Sequence, residues 1–183
     1  MIHGSYGNPN ENWFPWLKKE LEKGGHSVFI PVFPTPENQS LKDWEEVFNK
    51  ECLNKIDGES ILIGHSIGVA FILSILEELS IQKPIRACYF ISGFLGLLNK
   101  DEFDAINKTF SDKRFDWGKI KRSCKNFYVY HSDNDPYVPL EKARELANKL
   151  NTEVKVIKGA GHFNKNAGYN KFPLLLNDIK NSL

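Results

Sequence analysis

The stretch that most constrains this chain runs from Ser60-Ile61-Leu62-Ile63 through Gly64-His65-Ser66-Ile67-Gly68 to Val69-Ala70-Phe71-Ile72-Leu73. An apolar β-branched run, a turn bracketed by two glycines and a second apolar run predict strand, sharp turn and helix in immediate succession. A side chain at position 64 or 68 would crowd the backbone of so tight a turn. The pattern is the G-x-S-x-G elbow, in which the turn lifts the serine hydroxyl off the sheet. The start of the following helix then offers unpaired backbone N–H groups beside Ser66.

The remaining chain continues the alternation. Ser27–Pro31 reads as a strand, Leu41–Leu53 as a helix with Ser40 as N-cap, Ile61–Gly64 as the strand before the elbow and Ser66–Leu79 as the helix after it. Further strands are expected at Ile85–Ile91, Asn126–His131 and Glu153–Ile157, with helices at Leu140–Leu150 and Lys171–Leu183. In the first of those helices Ala143, Leu146, Ala147 and Leu150 form one apolar stripe at i, i+3, i+4 and i+7. Trp13, Phe14, Trp16, Leu17 and Leu21 supply the packing face of a helix near the start. Such alternation predicts an α/β fold, a mainly parallel sheet with helices on both faces. The 183 residues suit one domain spanning 1–183. The segment from about Phe94 to Trp117 lacks clear periodicity and suits a short cap, a flap or a plain surface excursion. Only Met1 and Ile2 precede His3-Gly4, which looks like a strand exit, so the first strand is expected to be a stub.

Composition narrows the function classes. A formal net charge of +1 gives no field to attract nucleic acid or an anionic membrane surface. Cys52, Cys88 and Cys124 lie far apart without C-x-x-C spacing and are expected to be reduced and mostly buried. No basic-plus-apolar leader and no apolar run near eighteen residues is present, and the expected location is the cytoplasm.

A serine hydroxyl becomes a nucleophile only beside a base that a third group orients. Of the five histidines (His3, His26, His65, His131 and His162), only His131 and His162 lie well downstream of Ser66. His162 follows the last expected strand in Lys158-Gly159-Ala160-Gly161-His162-Phe163, a flexible setting from which an imidazole can reach across the sheet top. His131 ends a strand and is read as structural. Asp133 and Asp135 both stand where the acid should be; Pro136 pushes the backbone of Asp135 towards an extended conformation, and Asp133 suits a turn-holding role. The oxyanion of a tetrahedral intermediate needs two donors, for which the N–H groups of Ile67 and Ser5 are the candidates. Phe94 and Leu95, with Leu97 and Leu98, are candidates for an acyl pocket, with core burial an equal alternative.

His3-Gly4, Asn12-Trp13 with Trp16, Gly64-His65-Ser66-Ile67-Gly68, Asp135-Pro136-Tyr137-Val138-Pro139 and Gly161-His162-Phe163 together resemble the retinoblastoma-binding protein nine and YdeN-like serine hydrolases. These are a small branch of the α/β-hydrolase superfamily, and the resemblance covers nearly the whole chain. It implies a compact hydrolase fold with little or no cap and a triad of Ser66 as nucleophile, Asp135 as acid and His162 as base. It implies esterase-type activity on a small acyl substrate, with no metal or cofactor. No Leu-x-Cys-x-Glu segment is present, so the binding role in the founding name does not carry over. A thioesterase, a peptidase and a non-enzymatic interaction module on a hydrolase scaffold are the alternatives. In that branch a full central strand precedes the first loop, so residues upstream of Met1 are expected to supply one. A version extended upstream should then melt at a higher temperature than this chain; equal stability and activity would defeat the expectation.

Overall fold

The computed structural model describes residues 1–79 and 83–183. Among them, four strands form one parallel sheet in the order β1 (Ile61–His65), β2 (Ile85–Ile91), β3 (Cys124–Ser132) and β4 (Val154–Ile157). The helices are α1 (Phe14–Lys23), α2 (Leu41–Glu51), α3 (Ile67–Glu78), α4 (Asp101–Ser111), α5 (Trp117–Ser123), α6 (Leu140–Leu150) and α7 (Pro173–Ser182).

Strand alternation divides the core into two layers. Leu62, Cys88, Phe90 and Val129 point to one face and pack against α2 to α6, with Trp44, Phe71, Phe110, Ile120 and Leu146 filling that layer. Ile63, Ala87, Tyr89, Ile91 and Tyr130 point to the other face, covered by α1 and α7 through Trp13, Phe14, Leu17, Leu175 and Ile179. Helix α3 is buried along nearly its whole length, which is why its sequence is apolar all round. Helix α2 begins at Ser40, whose side chain accepts from Asp43 N–H, and α6 spans the expected Leu140–Leu150.

Two expectations change. Ser27–Pro31 forms no strand and joins no ladder. Its carbonyls are taken by charged groups instead: the Met1 ammonium donates to Phe29 O at 2.7 Å and Lys18 Nζ to Val28 O at 3.1 Å. The chain beside it offers no run of partners, because Ile2 makes a single parallel bridge to Gly64. A cavity of about 370 Å³ lies there, lined by Met1, Val28, Phe29, Ile61 and Ile63 among others. The Phe94–Trp117 segment is not irregular throughout, for it contains α4. Asp104 stabilises the start of that helix by accepting from Leu98 N–H at 2.8 Å and Lys100 N–H at 3.0 Å.

The stub still matters to the elbow. Ile2 N–H donates to Ile63 O at 2.8 Å and His65 N–H donates to Ile2 O at 3.0 Å. This draws the chain against α3, where a Cβ on Gly68 would stand 2.8 Å from both Ile2 O and His3 O. A Cβ on Gly64 would stand 2.8 Å from Ile72 Cδ1. Backbone oxygens cannot swing aside as a flexible side chain can. Gly68→Ala is therefore expected to destabilise the protein by about 1–3 kcal/mol, the usual cost of overpacking. A thermal melt checks this; an unchanged midpoint would show that the stub is not tightly docked.

Candidate active site

The strands' C-terminal ends carry a cleft of about 420 Å³, the usual location for a site in a parallel sheet. Ser66 sits at its floor, between β1 and α3, with φ +56° and ψ −125°. That left-handed conformation is costly for a residue with a Cβ, of order 1–3 kcal/mol. It is held by the neighbouring strand, Ser66 N–H donating to Ile91 O at 2.9 Å. The Ser66 hydroxyl bonds no protein group among the described residues. Gly4 closes over it so tightly that a Cβ there would stand 2.8 Å from Ser66 Cβ.

Two residues expected to supply backbone donors lie near by in the fold: Ile67 follows Ser66 directly, and Ser5 lines the same cleft. Ile67 is the first residue of α3, where N–H groups lack intrahelical partners. Ser5 belongs to the loop that follows the stub and lines the cleft. Neither N–H is bonded to a protein acceptor among the described residues. His3 helps fix this loop. Its Nε2 accepts from Phe33 N–H at 3.1 Å, so Nδ1 carries the proton and donates to Gly4 O at 2.9 Å.

His162 and the acid arrive on two loops that are bonded together side chain by side chain. Asp133 Oδ1 accepts from Gly159 N–H at 2.7 Å, Ser132 Oγ from Ala160 N–H at 2.9 Å and Asn134 Oδ1 from Gly161 N–H at 2.7 Å. Asp135 completes the series, its Oδ2 accepting from His162 Nδ1 at 2.8 Å. Its other oxygen accepts from Tyr137 N–H at 2.9 Å and Val138 N–H at 3.1 Å. Burial opposes the charge on Asp135, but the bond from His162 and these two N–H donors outweigh it and hold the carboxyl below its ordinary pKa. The two sequence candidates thus separate: Asp135 contacts the imidazole, and Asp133 holds the loop.

Three more bonds fasten the histidine loop from behind. His65 Nε2 donates to His162 O at 2.8 Å, Trp13 Nε1 to Phe163 O at 2.9 Å, and Lys165 N–H to Asn12 Oδ1 at 2.8 Å. Tyr137 meets the His162 ring edge to face at a centroid distance of 5.0 Å. With Nδ1 committed to Asp135, Nε2 is the imidazole nitrogen left for Ser66. Both residues line the cleft, and no hydrogen bond joins them.

His131 is structural, as expected: it is buried, donates from Nε2 to Val138 O at 2.9 Å and lies 3.8 Å from Asp135 Oδ2. Phe94 and Leu98 line the cleft, together with Phe103 from α4 and Tyr137. Leu95 does not. It packs into the core on the α3 side of the sheet, in the same buried cluster as Phe94. Sequence reasoning missed His65, Ser132 and Asn134. The only signal was a dense polar run after β3, whose partners lie some 27 residues away.

Comparison with known proteins places the chain in a family. The family model for serine hydrolases matches residues 1–181. The chain belongs to the serine hydrolase family. Within it, YdeN of Bacillus subtilis (strain 168), which is named as a hydrolase, is 29% identical over 175 residues, covering 96% of this chain and 90% of that protein. The serine hydrolase RBBP9 of Rattus norvegicus is 26% identical over 152 residues, covering 82% of this chain and 77% of its own length. The crystal structure of the ydeN gene product superposes with a TM-score of 0.92 at 28% identity, over 99% of this chain and 95% of that one. The chain is thus an enzyme of the hydrolase class with an α/β-hydrolase fold. No helix among the described residues is long and apolar enough to cross a membrane.

The buried histidines of this hydrolase make its stability pH-dependent. Burial lowers the pKa of His3 and His131, and burial with the nearby His162 pushes His65 down to about 3. Once unfolded, all three titrate near 6.5. The unfolded state therefore binds more protons below that pH. Stability is full above about pH 6.5 and falls as pH drops, by up to about 1.4 kcal/mol per pH unit for each group. Urea unfolding at pH 7.5, 6.0 and 5.0 should show this decline. His65→Gln, which keeps a donor but cannot titrate, should flatten it by about one proton's worth; an unaltered slope would contradict the assignment.

Proposed function

We propose that the protein is an esterase-type serine hydrolase in which Ser66, His162 and Asp135 act as a triad on a small acyl substrate. The observation that carries this reading is the 2.8 Å bond from His162 Nδ1 to Asp135, which fixes the imidazole tautomer with Nε2 free to accept a proton. Ser66 Oγ attacks the carbonyl carbon while its proton passes to His162 Nε2. The N–H groups of Ile67 and Ser5 receive the oxyanion, and Asp135 stabilises the imidazolium. His162 then returns the proton to the departing alkoxide, leaving an acyl group on Ser66. Water, deprotonated by the same imidazole, releases the acid and restores the hydroxyl. Every step draws on these side and main chains alone. Substrate binding brings the Ser66 and His162 side chains into hydrogen-bond contact, a tightening common in sites described without ligand.

The cleft supports a small ester. Phe94, Leu98, Phe103 and Tyr137 give one apolar wall for the acyl part, and Glu11, Asn12, Asn164 and Lys165 give a polar wall. Its volume of about 420 Å³ lies at the small end of ligand pockets. The near-neutral formal charge of +1 gives no field toward nucleic acid or an anionic surface and supports action on a small molecule.

A fluorophosphonate probe should label wild-type protein at Ser66 and fail to label Ser66→Ala. With an activated aryl acetate, Ser66→Ala should lose about 10⁶-fold in kcat. Asp135→Asn, which permits the wrong tautomer, should lose about 10⁴-fold. An unlabelled Ser66 in folded protein, or full turnover by Ser66→Ala, would overturn the reading.

A further inference from the structure

The side chain of Ser5 belongs to a polar cluster that the proposed chemistry does not use, one member of which, Asn107, also lines the cleft. Gln39 and Asn107 are both buried, and they come from unrelated parts of the chain: Gln39 precedes α2, and Asn107 lies within α4. Ser5 Oγ donates to Asn107 Oδ1 at 2.7 Å, and Gln39 Nε2 stands 2.8 Å from both Ser5 Oγ and Asn107 Oδ1. Thr35 Oγ1 donates to Gln39 Oε1 and accepts from Tyr6 N–H at 2.7 Å. The side chain of Ser5 and the backbone of Tyr6 are thus fixed through one continuous set of bonds.

The loop has reason to need fixing. Tyr6 adopts φ +58°, a conformation unfavourable for a bulky residue. The Ser5 N–H has no protein acceptor among the described residues, and Ser5 lines the same cleft as Ser66. A donor in this position must keep its direction while the substrate oxygen gains charge, since preorganisation is what gives an oxyanion site its effect. Packing alone does not supply that, because the loop's outer face is solvent-exposed at Tyr6.

We propose that Thr35, Gln39 and Asn107 are positioning residues that hold the Ser5 N–H on the oxyanion. The proposal rests on the triad reading above. It also explains why a buried helix position such as 107 carries an amide rather than an apolar side chain. Because Asn107 and Phe103 share α4, the cluster ties the apolar wall of the cleft to the oxyanion loop as one body.

The test uses the 183-residue chain and four variants: Ser66→Ala, Thr35→Val, Thr35→Ser and Asn107→Leu. Valine keeps the shape of threonine without its hydroxyl, and serine restores the hydroxyl. The readouts are kcat and KM on an activated aryl acetate, affinity for a trifluoromethyl ketone that forms a tetrahedral adduct on serine, the pH–rate profile and the melting temperature. Complete loss of an oxyanion donor costs about 10²–10³-fold, so its misdirection should cost about ten- to a hundredfold. Thr35→Val and Asn107→Leu should lose that factor in kcat and in ketone affinity, with KM within about threefold and the pH–rate midpoint unmoved. Thr35→Ser should recover most of it. Should Asn107→Leu fail to fold, the threonine pair decides alone. Folded Thr35→Val with kcat and ketone affinity within about twofold of wild type, or Thr35→Ser as slow as Thr35→Val, would overturn the proposal while leaving the triad intact. Wild type as inactive and unlabelled as Ser66→Ala would overturn the triad, and the proposal with it.

Discussion

The site depends on the register between two loops, Ser132–Asp135 and Gly159–His162. Three side-chain oxygens take the three successive N–H groups before His162, and the fourth side chain takes the imidazole itself. A histidine on a loop rich in glycine has wide conformational freedom, and a base must stay within a few tenths of an ångström of its task. Here Asp135 is not an isolated partner of His162. It is the last member of a run that sets the height and direction of the His162 backbone.

That register follows from the sheet. Strands β3 and β4 are parallel neighbours, with Ser132 paired to Ile157, so both chains leave the sheet side by side at the same edge. On the other side of β2, β1 ends in the elbow that presents Ser66 at the same edge. Parallel pairing thus brings three chain segments, distant in sequence, to one rim of the sheet. Bonds from His65, Trp13 and Asn12 then link the histidine loop back to the elbow and to the start of the chain. Removal of His65 or Trp13 leaves a buried carbonyl unpaired, which costs more than the bond itself contributes.

Much of this was legible in the residues. The elbow and the α6 stripe rest on local pattern, and local pattern reports local structure well; the choice of Asp135 and His162 rests on chain order and the family resemblance. The failures share a different cause. Ser27–Pro31 has the composition of a strand, but strand formation needs a neighbour, and composition says nothing about one. In α4, Phe103, Ile106 and Phe110 stand at i, i+3 and i+7, yet the glycines and Asn99 just before them gave the segment the look of a loop. Leu95 and Phe94 are alike in chemistry and both are buried, and residue type does not say which of them also lines the cleft. The roles of His65, Asn134, Gln39 and Asn107 lie in bonds to residues far along the chain, which no period reveals.

The most direct test of the two-loop register is the His162 Nδ1 proton, observed by proton NMR of ¹⁵N-labelled protein at neutral pH. Held between imidazole and a buried carboxylate, it should resonate well downfield of the amide envelope and exchange slowly. It should persist in Ser66→Ala, weaken or broaden in Asn134→Ala, and vanish in Asp135→Ala and His162→Ala. A folded wild type with no such resonance, or one that survives Asp135→Ala, would contradict the geometry on which the site is built.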